Sequence, residues 1–429
     1  MDQAPSILFR DVRVFDGVQP RLSAAQDVRV EAGVIASITA STRHESTEGT
    51  AGSPPTDIVI DGAGRTLMPG LIDMHTHLSF AGISQVTALT GNVYFLAIAA
   101  AAGAEQTLLR GFTTVRDLGG PVFGIKQAID MGLARGPRIF PSGAFISQTG
   151  GHGDFRLPFE VPRGSHGRLS HSELLGGAVI ADGVPEVLRG VREQLMLGAS
   201  QIKVMSGGGV TSAYDPLDVT QYTESEMRAA VEAAENWGTY VTVHAYTARA
   251  VQQALRAGVR CIEHGQLIDD ETAALMAEHG AWWCLQPFLD DEDSTPTQGA
   301  NRVKQLQVAA GTDTAFELAG RHGINVAFGS DVLFSPALWR RQTHRLAKLV
   351  RWMSAAEVLI TATSRNAELL ALSGPSNPYP GRLGVVAEGA LADLLLVDGD
   401  PLVDIGVITT PEQTMPVILK AGAIVKNDG

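Results

Sequence analysis

Residues 67–77 read LMPGLIDMHTH, a short apolar run that ends on two histidines, His75 and His77. The apolar run predicts a buried β-strand, in which residues two apart point to the same side with Cα atoms roughly 6.6 Å apart. Both imidazoles could therefore turn onto one metal ion. Taken alone, such a pair also fits ordinary surface or core histidines, so its meaning depends on the rest of the chain.

Short apolar runs of the same kind recur from Leu67 onward, separated by longer segments with helical periodicity such as ESEMRAAVEAAENWG. The eight runs are LIDMHTHL, FTTVRDLG, RIFPSGAF, QIKVMSGG, YVTVHAY, CIEHGQ, WWCLQP and INVAFGSD. Strands buried on both faces read as continuous apolar runs, and eight strand–helix units in series are typical of a (β/α)8 barrel. We therefore predict an α/β fold with a TIM-like barrel over residues 67–376.

The two ends of the chain differ from the middle and resemble each other. Alternating β-like stretches such as DVRVEAGVIASITA occupy residues 1–66, and similar stretches such as MPVILKAGAIVKNDG return in residues 377–429. Strands before and after a barrel can pair only if the termini meet, so we predict one small β-sandwich domain built from both chain ends. The polar stretch 42–56 is expected to be a mobile loop without a function of its own.

Composition limits the partners of this 429-residue chain. Its formal net charge is −13 and no basic run is present to neutralise phosphates, which argues against nucleic acid and anionic membranes. The longest apolar stretch is too short to span a bilayer, and the first residues show no secretion signal. Cys261 and Cys284 lie in apolar runs, as is typical of buried free thiols in a reducing compartment. A cytoplasmic protein is therefore expected.

Residues with metal chemistry stand in four further runs. His244 ends the fifth run, His264 the sixth and Asp331 the eighth, while Lys203 lies within the apolar fourth run. Catalytic groups of a barrel gather at the carboxyl ends of its strands, so these residues are predicted to share one rim with the first-run histidines. Desolvation should lower the pKa of Lys203 and leave a neutral amine able to react as a nucleophile.

Together, PGLIDMHTH, the fourth-run lysine, the two later histidines and the eighth-run aspartate resemble the binuclear amidohydrolase superfamily over essentially the whole chain. In that family CO₂ carboxylates the lysine, and the carbamate bridges two divalent ions, usually zinc. The ligands that the resemblance implies are His75, His77 and Asp331 for one ion, His244 and His264 for the other, and Lys203 as the bridge. It further implies that Asp331 takes a proton from the attacking water and passes it to the leaving amine.

Further motifs narrow the resemblance. ISQTGGHGD (146–154), GGGVTS and TTVRDLGG resemble the imidazolonepropionase-like branch, which includes prolidase-like dipeptidases, N-acyl amino acid hydrolases and bacterial ochratoxin-degrading amidohydrolases. The last group is the most similar and implies cleavage of an amide to a hydrophobic amino acid, as from ochratoxin A to ochratoxin α and phenylalanine. His152 is a candidate for contacting the substrate carbonyl or carboxylate, and Tyr214 for donating its hydroxyl to the substrate. Relatives in this branch often assemble into rings, commonly octamers, so a homo-oligomer is expected.

Other interpretations stay open. A hydrolase of cyclic amides would use the same metal centre, whereas a deaminase typically holds one metal and lacks the lysine, and a non-catalytic scaffold would have lost ligands that this chain keeps. Arg116 and Arg156 are possible partners for a substrate carboxylate, although structural roles are favoured for both. The polar stretch 286–305 is either a lid over the barrel mouth or a solvated connector.

Overall fold

The structure is a computed structural model that describes residues 6–41 and 58–428. The predicted loop at 42–56 lies outside the described residues. The strands are β1 (Ile7–Val14), β2 (Ala25–Glu31), β3 (Val34–Ala40), β4 (Ile58–Asp61), β5 (Thr66–Pro69), β6 (Leu71–Thr76), β7 (Phe112–Asp117), β8 (Arg138–Pro141), β9 (Phe145–Ser147), β10 (Ala178–Ile180), β11 (Ile202–Met205), β12 (Val241–Thr247), β13 (Cys261–Leu267), β14 (Trp282–Leu285), β15 (Val326–Phe328), β16 (Leu394–Val397), β17 (Val417–Lys420) and β18 (Ala423–Asn427).

The helices alternate with the barrel strands. They are α1 (Leu78–Ala81), α2 (Gln85–Thr90), α3 (Val93–Leu109), α4 (Phe123–Asp130), α5 (Arg163–His166), α6 (His171–Leu174), α7 (Val184–Met196), α8 (Glu224–Glu235), α9 (Ala248–Arg256), α10 (Asp270–Glu278), α11 (Gly299–His322), α12 (Pro336–Trp339), α13 (Gln342–Ala347), α14 (Ala355–Ile360), α15 (Asn366–Ala371) and α16 (Pro411–Thr414). Shorter 3₁₀ segments lie at Lys348–Arg351, Gly374–Ser376 and Ile405–Thr409, and a π-helical segment at Thr361–Arg365.

Strands from both chain ends meet in one eight-stranded sheet of order β18-β17-β16-β5-β1-β2-β3, in which β4 also pairs with β1. The joint between the ends is the antiparallel pair of β5 and β16, where Pro69 lies opposite Leu394 and Thr66 opposite Val397. The predicted pairing of the two ends is therefore present. A β-sandwich has two packed sheets, whereas these strands form one hydrogen-bonded sheet. The sandwich therefore stays a prediction.

A bulge in β1 keeps the apolar side chains of that strand on one face. Ile7 and Phe9 are buried and so are Val12 and Val14, which breaks the period of two once. The register with β2 shifts between Phe9 and Val12, and Asp11 within this interval has a φ of +49°. The extra residue absorbs the mismatch, so all four apolar side chains face the core of the terminal sheet.

The middle of the chain forms a TIM-barrel-like α/β fold from two parallel sheets, β6-β7-β8 and β10-β9-β11-β12-β13-β14-β15. The third apolar run is divided into β8 and β9, and Gly143 between them has a φ of +71°. A Cβ at this glycine would lie 2.4 Å from Gln194 Oε1, so the break requires glycine. Strand β9 then pairs with β10, which the sequence analysis did not predict.

Hydrogen bonds close the two seams between these sheets. At the first seam the N–H of Ser200 donates to the carbonyl of Pro141 at 2.7 Å. At the second, the side-chain amide of Asn366 donates to the carbonyl of Ile72 in β6 at 2.8 Å and to that of Phe328 in β15 at 3.0 Å. The ring of parallel strands is thereby closed, and its carboxyl ends form one rim.

Two further expectations concern the cysteines and membrane-spanning helices. Cys261 and Cys284 are both buried free thiols, as predicted. Among the helices that the structure describes, none is long and apolar enough to cross a membrane.

Candidate metal centre

The six residues predicted as metal ligands stand at or just beyond the carboxyl ends of barrel strands. They are His75 in β6, His77 just after it, Lys203 in β11, His244 in β12, His264 in β13 and Asp331 after β15. Parallel strands present their carboxyl ends at the same face of the barrel. All six side chains accordingly line one pocket.

Asp331 lies at the centre of this group. Its Oδ1 is 3.2 Å from His75 Nε2 and 3.4 Å from His77 Nε2. Its Oδ2 is 3.9 Å from His264 Nδ1, and the ring centroids of His264 and His244 are 4.6 Å apart. The backbone N–H of Asp331 donates to the carbonyl of His75 at 2.8 Å, so the seam between β6 and β15 determines where the carboxylate stands.

Each of the four histidines has one ring nitrogen in contact with an acceptor outside the group. The contacts are His75 Nδ1 to Glu263 Oε2 (2.9 Å), His77 Nδ1 to Gly119 O (3.0 Å), His264 Nδ1 to Gln286 Oε1 (2.7 Å) and His244 Nε2 to Gly208 O (3.0 Å). A neutral imidazole that donates through one nitrogen carries a lone pair on the other. These contacts therefore orient every ring with a free nitrogen, as outer partners do for metal-ligating histidines.

Burial favours the neutral form of three of these imidazoles. It lowers the pKa of His75 to about 4 and that of His264 to about 3, and it holds the pKa of His244 well below its ordinary value. Burial opposes the charge of Asp331, but His75 and the neighbouring imidazoles outweigh it and hold the pKa of Asp331 below its ordinary value. Neutral imidazole and ionised carboxylate are the protonation states that bind metal.

Lys203 is buried without a partner. Its exposed fraction is 1%, and among the described residues its Nζ has no hydrogen-bond partner. Burial lowers the pKa of Lys203, because an ammonium without water or an acceptor is unfavourable. The neutral amine is the form that reacts with CO₂, so its state matches the predicted carbamate.

The donor set fits divalent ions. The ligand atoms of His75, His77 and Asp331 all lie within 4.8 Å of one another. Imidazole nitrogen and carboxylate oxygen are the ligands that zinc takes in catalytic sites. The orphaned amine of Lys203 beside them fits the bridging group that the sequence analysis predicts.

Two of the predicted ligands have strained backbones. His264 has a φ of +76° and Asp331 a φ of +47°, a region that residues other than glycine rarely adopt. The carbonyl of His264 accepts a 2.6 Å hydrogen bond from Trp283 Nε1, which stabilises the unusual conformation. Strain of this kind persists where surrounding structure enforces it, and it concentrates at functional sites.

A buried acid that was not predicted from the sequence supports the site. Glu263 contacts His75 Nδ1 through Oε2, while its Oε1 accepts hydrogen bonds from Arg116 (2.5 Å) and from the hydroxyl of Thr242. Burial would raise the pKa of Glu263, but Arg116 and His75 hold it well below its ordinary value. The available signal was a charged residue inside the apolar run CIEHGQ, directly before a predicted ligand.

His152, predicted to contact substrate, lies at the site. It lines the pocket, and its ring stacks on that of His244 with centroids 4.0 Å apart. Its Nδ1 is 2.7 Å from the hydroxyl of Ser212, and burial lowers the pKa of His152 to about 4. The ring is therefore neutral and held in place beside a predicted ligand.

Tyr214, the other predicted substrate contact, is not brought to the site. Its hydroxyl donates to the carbonyl of Arg156 at 2.7 Å, the residue is 47% exposed, and it does not line the pocket. The carboxylate of Asp215 accepts the N–H of Gly209 at 2.7 Å, which folds the loop back on itself and leaves Tyr214 on its outer side. Contact between the Tyr214 hydroxyl and the substrate therefore stays a prediction that this geometry does not support.

The two arginines considered for a substrate carboxylate have structural partners. Arg116 is fully buried beneath the rim, and besides Glu263 it donates to the hydroxyl of Tyr240 at 3.0 Å. Arg156 pairs with Asp154, with 2.7 Å between Nε and Oδ1. The structural roles that were favoured for both arginines are confirmed.

The six predicted ligands face a pocket of about 950 Å³, a volume that includes the open solvent at its mouth. Beyond the predicted ligands its walls are largely apolar and include Phe145, Phe155, Met205, Val210, Phe288 and Leu333. Segment 286–305 supplies one side of the pocket, with Phe288 at its root and Thr295 and Gln305 farther along. It is therefore a wall of the site, and its movement as a lid stays a prediction.

Known proteins resemble this chain in sequence and in fold. Residues 66–426 match a model described as the amidohydrolase family. The ochratoxinase of Aspergillus niger is 33% identical over 381 residues, which cover 85% of this chain and 76% of that protein. Among solved structures, a prolidase complexed with N-methylphosphonate-L-proline has a TM-score of 0.88 at 35% identity, covering 98% of this chain and 100% of the other.

A Xaa-Pro dipeptidase with methionine bound in its active site has a TM-score of 0.80 at 28% identity, covering 98% of this chain and 99% of the other. These similarities extend over the barrel and the terminal sheet alike. The resemblance inferred from the motifs is confirmed, and with it a hydrolase of amide bonds. The chain belongs to the amidohydrolase family.

Proposed function

We propose that this amidohydrolase is a binuclear zinc enzyme that cleaves the amide bond of N-acyl amino acids or dipeptides with a hydrophobic residue, including ochratoxin A to ochratoxin α and phenylalanine. The proposal depends on one observation. Neutral imidazoles, the Asp331 carboxylate and the unpartnered amine of Lys203 share a rim that opens into a largely apolar pocket. The similar proteins named as an ochratoxinase, a prolidase and a Xaa-Pro dipeptidase support this class of reaction.

Two sets of residues would hold the ions. They are His75, His77 and Asp331 for one ion, His244 and His264 for the other, and carboxylated Lys203 between them. Bound divalent ions would supply Lewis acidity that polarises the scissile carbonyl and lowers the pKa of the attacking water. The outer contacts of the histidines prepare the site, because each ring is already turned with a free nitrogen available.

Proton transfer is assigned to Asp331. Its carboxylate stands within 3.4 Å of the Nε2 atoms of His75 and His77, and its side chain keeps 13% exposure to the pocket. From this position Asp331 accepts the proton of the attacking water at a carboxylate oxygen and returns it to the leaving amine. His152, held by Ser212 and stacked on His244, contacts the substrate carbonyl or carboxylate from the side wall.

The preference for hydrophobic residues follows from the pocket walls. Phe145, Phe155 and Leu333 line the main pocket and also a smaller apolar cavity beside it. An aromatic or branched side chain packed there would leave water, at a gain of about 1.5–3 kcal/mol for a fully buried side chain. A charged side chain at the same place would lose its hydration without finding an acceptor.

Hydrolysis of a small substrate panel tests the proposal. Metal-loaded protein is given N-acyl-phenylalanine, Xaa-Pro and Xaa-Arg dipeptides, ochratoxin A and a cyclic imide, and the released amino acid is measured. We expect release of phenylalanine or proline, lost in Lys203→Ala and kept in Lys126→Ala, which removes a lysine on the outer helix α4. Turnover of the cyclic imide alone, or full activity in Lys203→Ala, would contradict the assignment.

We also propose that the chain forms homo-oligomers through α3, with an octamer as the form that the family resemblance implies. Tyr94 and Ile98 are one helical turn apart on this helix and are 77% and 71% exposed, and Phe95 beside them is 52% exposed. Single exposed apolar residues are ordinary, but a contiguous patch of large ones is typical of an interface between proteins. Burial against a second copy would remove this patch from water.

A further inference from the structure

Arg345 carries a buried positive charge at the pocket wall. It lies in α13, lines the pocket close to Asp331 and is 4% exposed. Its guanidinium donates to two backbone carbonyls, those of Ser330 at 2.9 Å and Asp293 at 2.6 Å. In the part of the chain that the structure describes, Arg345 forms no ion pair with a carboxylate, and its Nε has no hydrogen-bond partner.

This arrangement leaves donors of Arg345 unused. A guanidinium carries about five N–H donors, and the two carbonyl contacts occupy one on each terminal nitrogen. Buried charges in proteins are normally paired, because desolvation without a counter-charge is costly. The carboxylates of Asp331 and Asp293 act on the charge of Arg345 from beyond ion-pair distance. An anionic ligand in the pocket would supply a counter-charge in direct contact and the missing acceptors, and a carboxylate matches the fork of a guanidinium.

The other cations around the site are already engaged. Lys203 is one of the six predicted ligands, Arg116 pairs with Glu263, and Arg341 pairs with the carboxylate of Asp293. Apart from histidines, Lys203 and Arg345 are the cations that line the pocket among the described residues. Since Lys203 is assigned to the ions, Arg345 is the group left for a negative charge on the substrate.

We propose that Arg345 binds the free α-carboxylate of the substrate, so that the enzyme selects N-acyl amino acids and dipeptides with a free carboxyl terminus over the corresponding amides. This inference rests on the proposed amide hydrolysis. Arg345 holds the carbonyl of Ser330, which directly precedes Asp331, so the carboxylate would be anchored next to the proton-transfer group. Leu333 lines the same pocket and provides an apolar wall for the adjoining side chain.

Paired substrates test the contact. We compare kcat/KM for N-acyl-phenylalanine and for its carboxamide, which differ only in the charge that Arg345 would bind. In the wild type we expect the acid to be preferred by about 10- to 100-fold, the usual range for a hydrogen-bonded charge. Arg345→Met should reduce the preference for the acid by that factor, because kcat/KM falls more for the acid than for the amide, while Arg345→Lys should restore part of the preference because it keeps the charge without the fork.

Arg341→Met is the matched control. Arg341 precedes α13 and pairs with Asp293, but it does not line the pocket, so its removal should keep the preference for the acid. If Arg345 only stabilises the carbonyls of Ser330 and Asp293, Arg345→Met will lower kcat/KM by the same factor for both substrates, and the proposal is then wrong.

Binding of 3-phenylpropanoate, measured by calorimetry, separates this inference from the proposed function. The ligand has the carboxylate and the aromatic ring but no amide to cleave. We expect the metal-loaded wild type to bind it and Arg345→Met to lose about 10- to 100-fold in affinity. Such binding without any amide turnover would overturn the proposed reaction and keep the carboxylate site. Turnover of N-acyl-phenylalanine with unchanged binding in Arg345→Met would overturn the carboxylate site and keep the reaction.

Discussion

Buried charges at the two ends of the barrel are arranged in opposite ways. At the amino end, Arg138 opens β8 and pairs with Asp393 through two hydrogen bonds of 2.6 and 3.1 Å. The same carboxylate accepts the backbone N–H of Ala421 at 2.6 Å. At the carboxyl end, Lys203 has no hydrogen-bond partner within the described residues and Arg345 contacts only backbone carbonyls there.

The difference distinguishes a buried ion pair that stabilises the fold from buried basic side chains that line the candidate site. Arg138 in the barrel and Asp393 beside the terminal sheet form an ion pair with each other. Their charges therefore stabilise the contact between the two parts of the protein. Lys203 and Arg345 are as deeply buried, yet no carboxylate of the described residues forms an ion pair with either of them. Perturbed charges of this second kind cluster at active sites. A buried charge that a protein leaves unpaired is therefore a better guide to the site than burial itself.

The largest effect is expected at the amino end. Arg138→Met leaves the Asp393 carboxylate buried without its partner and should lower the free energy of unfolding by about 3–5 kcal/mol. Activity per folded molecule should be retained, since the pair lies away from the rim. Denaturant unfolding measures the loss. The control, Arg135→Met, removes an exposed arginine paired with Glu105 and should cost less than about 1 kcal/mol. Equal losses in both variants would show that the buried Arg138–Asp393 pair matters no more to stability than an exposed pair.

Metal removal should act at the carboxyl end alone. Ligands that bind the folded state stabilise it by about 2.7 kcal/mol at 100 times their Kd. A chelator should therefore lower the Tm of the wild type, and it should have a much smaller effect on Lys203→Ala, which lacks the proposed bridge. Calorimetry with metal analysis of each sample measures both. A variant that keeps the full metal content and the full Tm shift would show that Lys203 takes no part in holding ions.

Glu263 links the two kinds of charge, because Arg116 pairs with it while it orients His75. Glu263→Gln keeps the shape but weakens the hold on the His75 ring, and we expect metal affinity to fall by about 10- to 100-fold. Titration with a metal indicator dye gives the Kd. Glu173→Gln changes an acid that caps α6, and its metal affinity should match the wild type. Unchanged metal affinity in Glu263→Gln would show that Glu263 does not support metal binding through His75.

The smallest effect on the fold is expected on helix α3, away from both ends of the barrel. Tyr94→Asp combined with Ile98→Asp places charges in the exposed patch of α3 and should reduce the assembly size with little change in monomer stability. Analytical ultracentrifugation measures the mass. Val403→Asp alters another exposed apolar residue, 83% exposed, and should leave the mass unchanged. An assembly of unaltered mass in the α3 variant would exclude this helix as the interface.

Much of the fold could be predicted because its signals are local. Apolar runs of four to seven residues mark strands such as β11 and β12, and their alternation with helices indicates a barrel. The break between β8 and β9 was not predicted, because it depends on Gln194, which lies far along the chain. Its Oε1 accepts the backbone N–H of Ala144 at 2.9 Å and leaves no room for a Cβ at Gly143. Strand β10 escaped notice for a related reason, since three residues carry too little pattern.

The positions of the predicted ligands could be inferred for a topological reason. Parallel strands end at one rim whatever their detailed packing, so His75, His244, His264 and Asp331 had to converge once the barrel was inferred. The direction of the Tyr214 side chain could not be inferred, because it lies in a loop, where no periodicity indicates which way a side chain points. Direction there depends on the turn between Gly209 and Asp215.

By itself, the sequence determined the family, the barrel and the set of residues with metal chemistry at the strand ends. Only the tertiary structure decided which charges are paired. Arg116 and Glu263 are 147 residues apart, and Arg138 and Asp393 are 255 apart, so no local pattern relates them. Arg345 contacts backbone carbonyls, whereas Arg116 and Arg138 each contact a carboxylate, and no pattern in the sequence distinguishes the two cases. The physical reason is that desolvation and pairing depend on which side chains meet across the fold, whereas strand periodicity and strand ends are written in neighbouring residues.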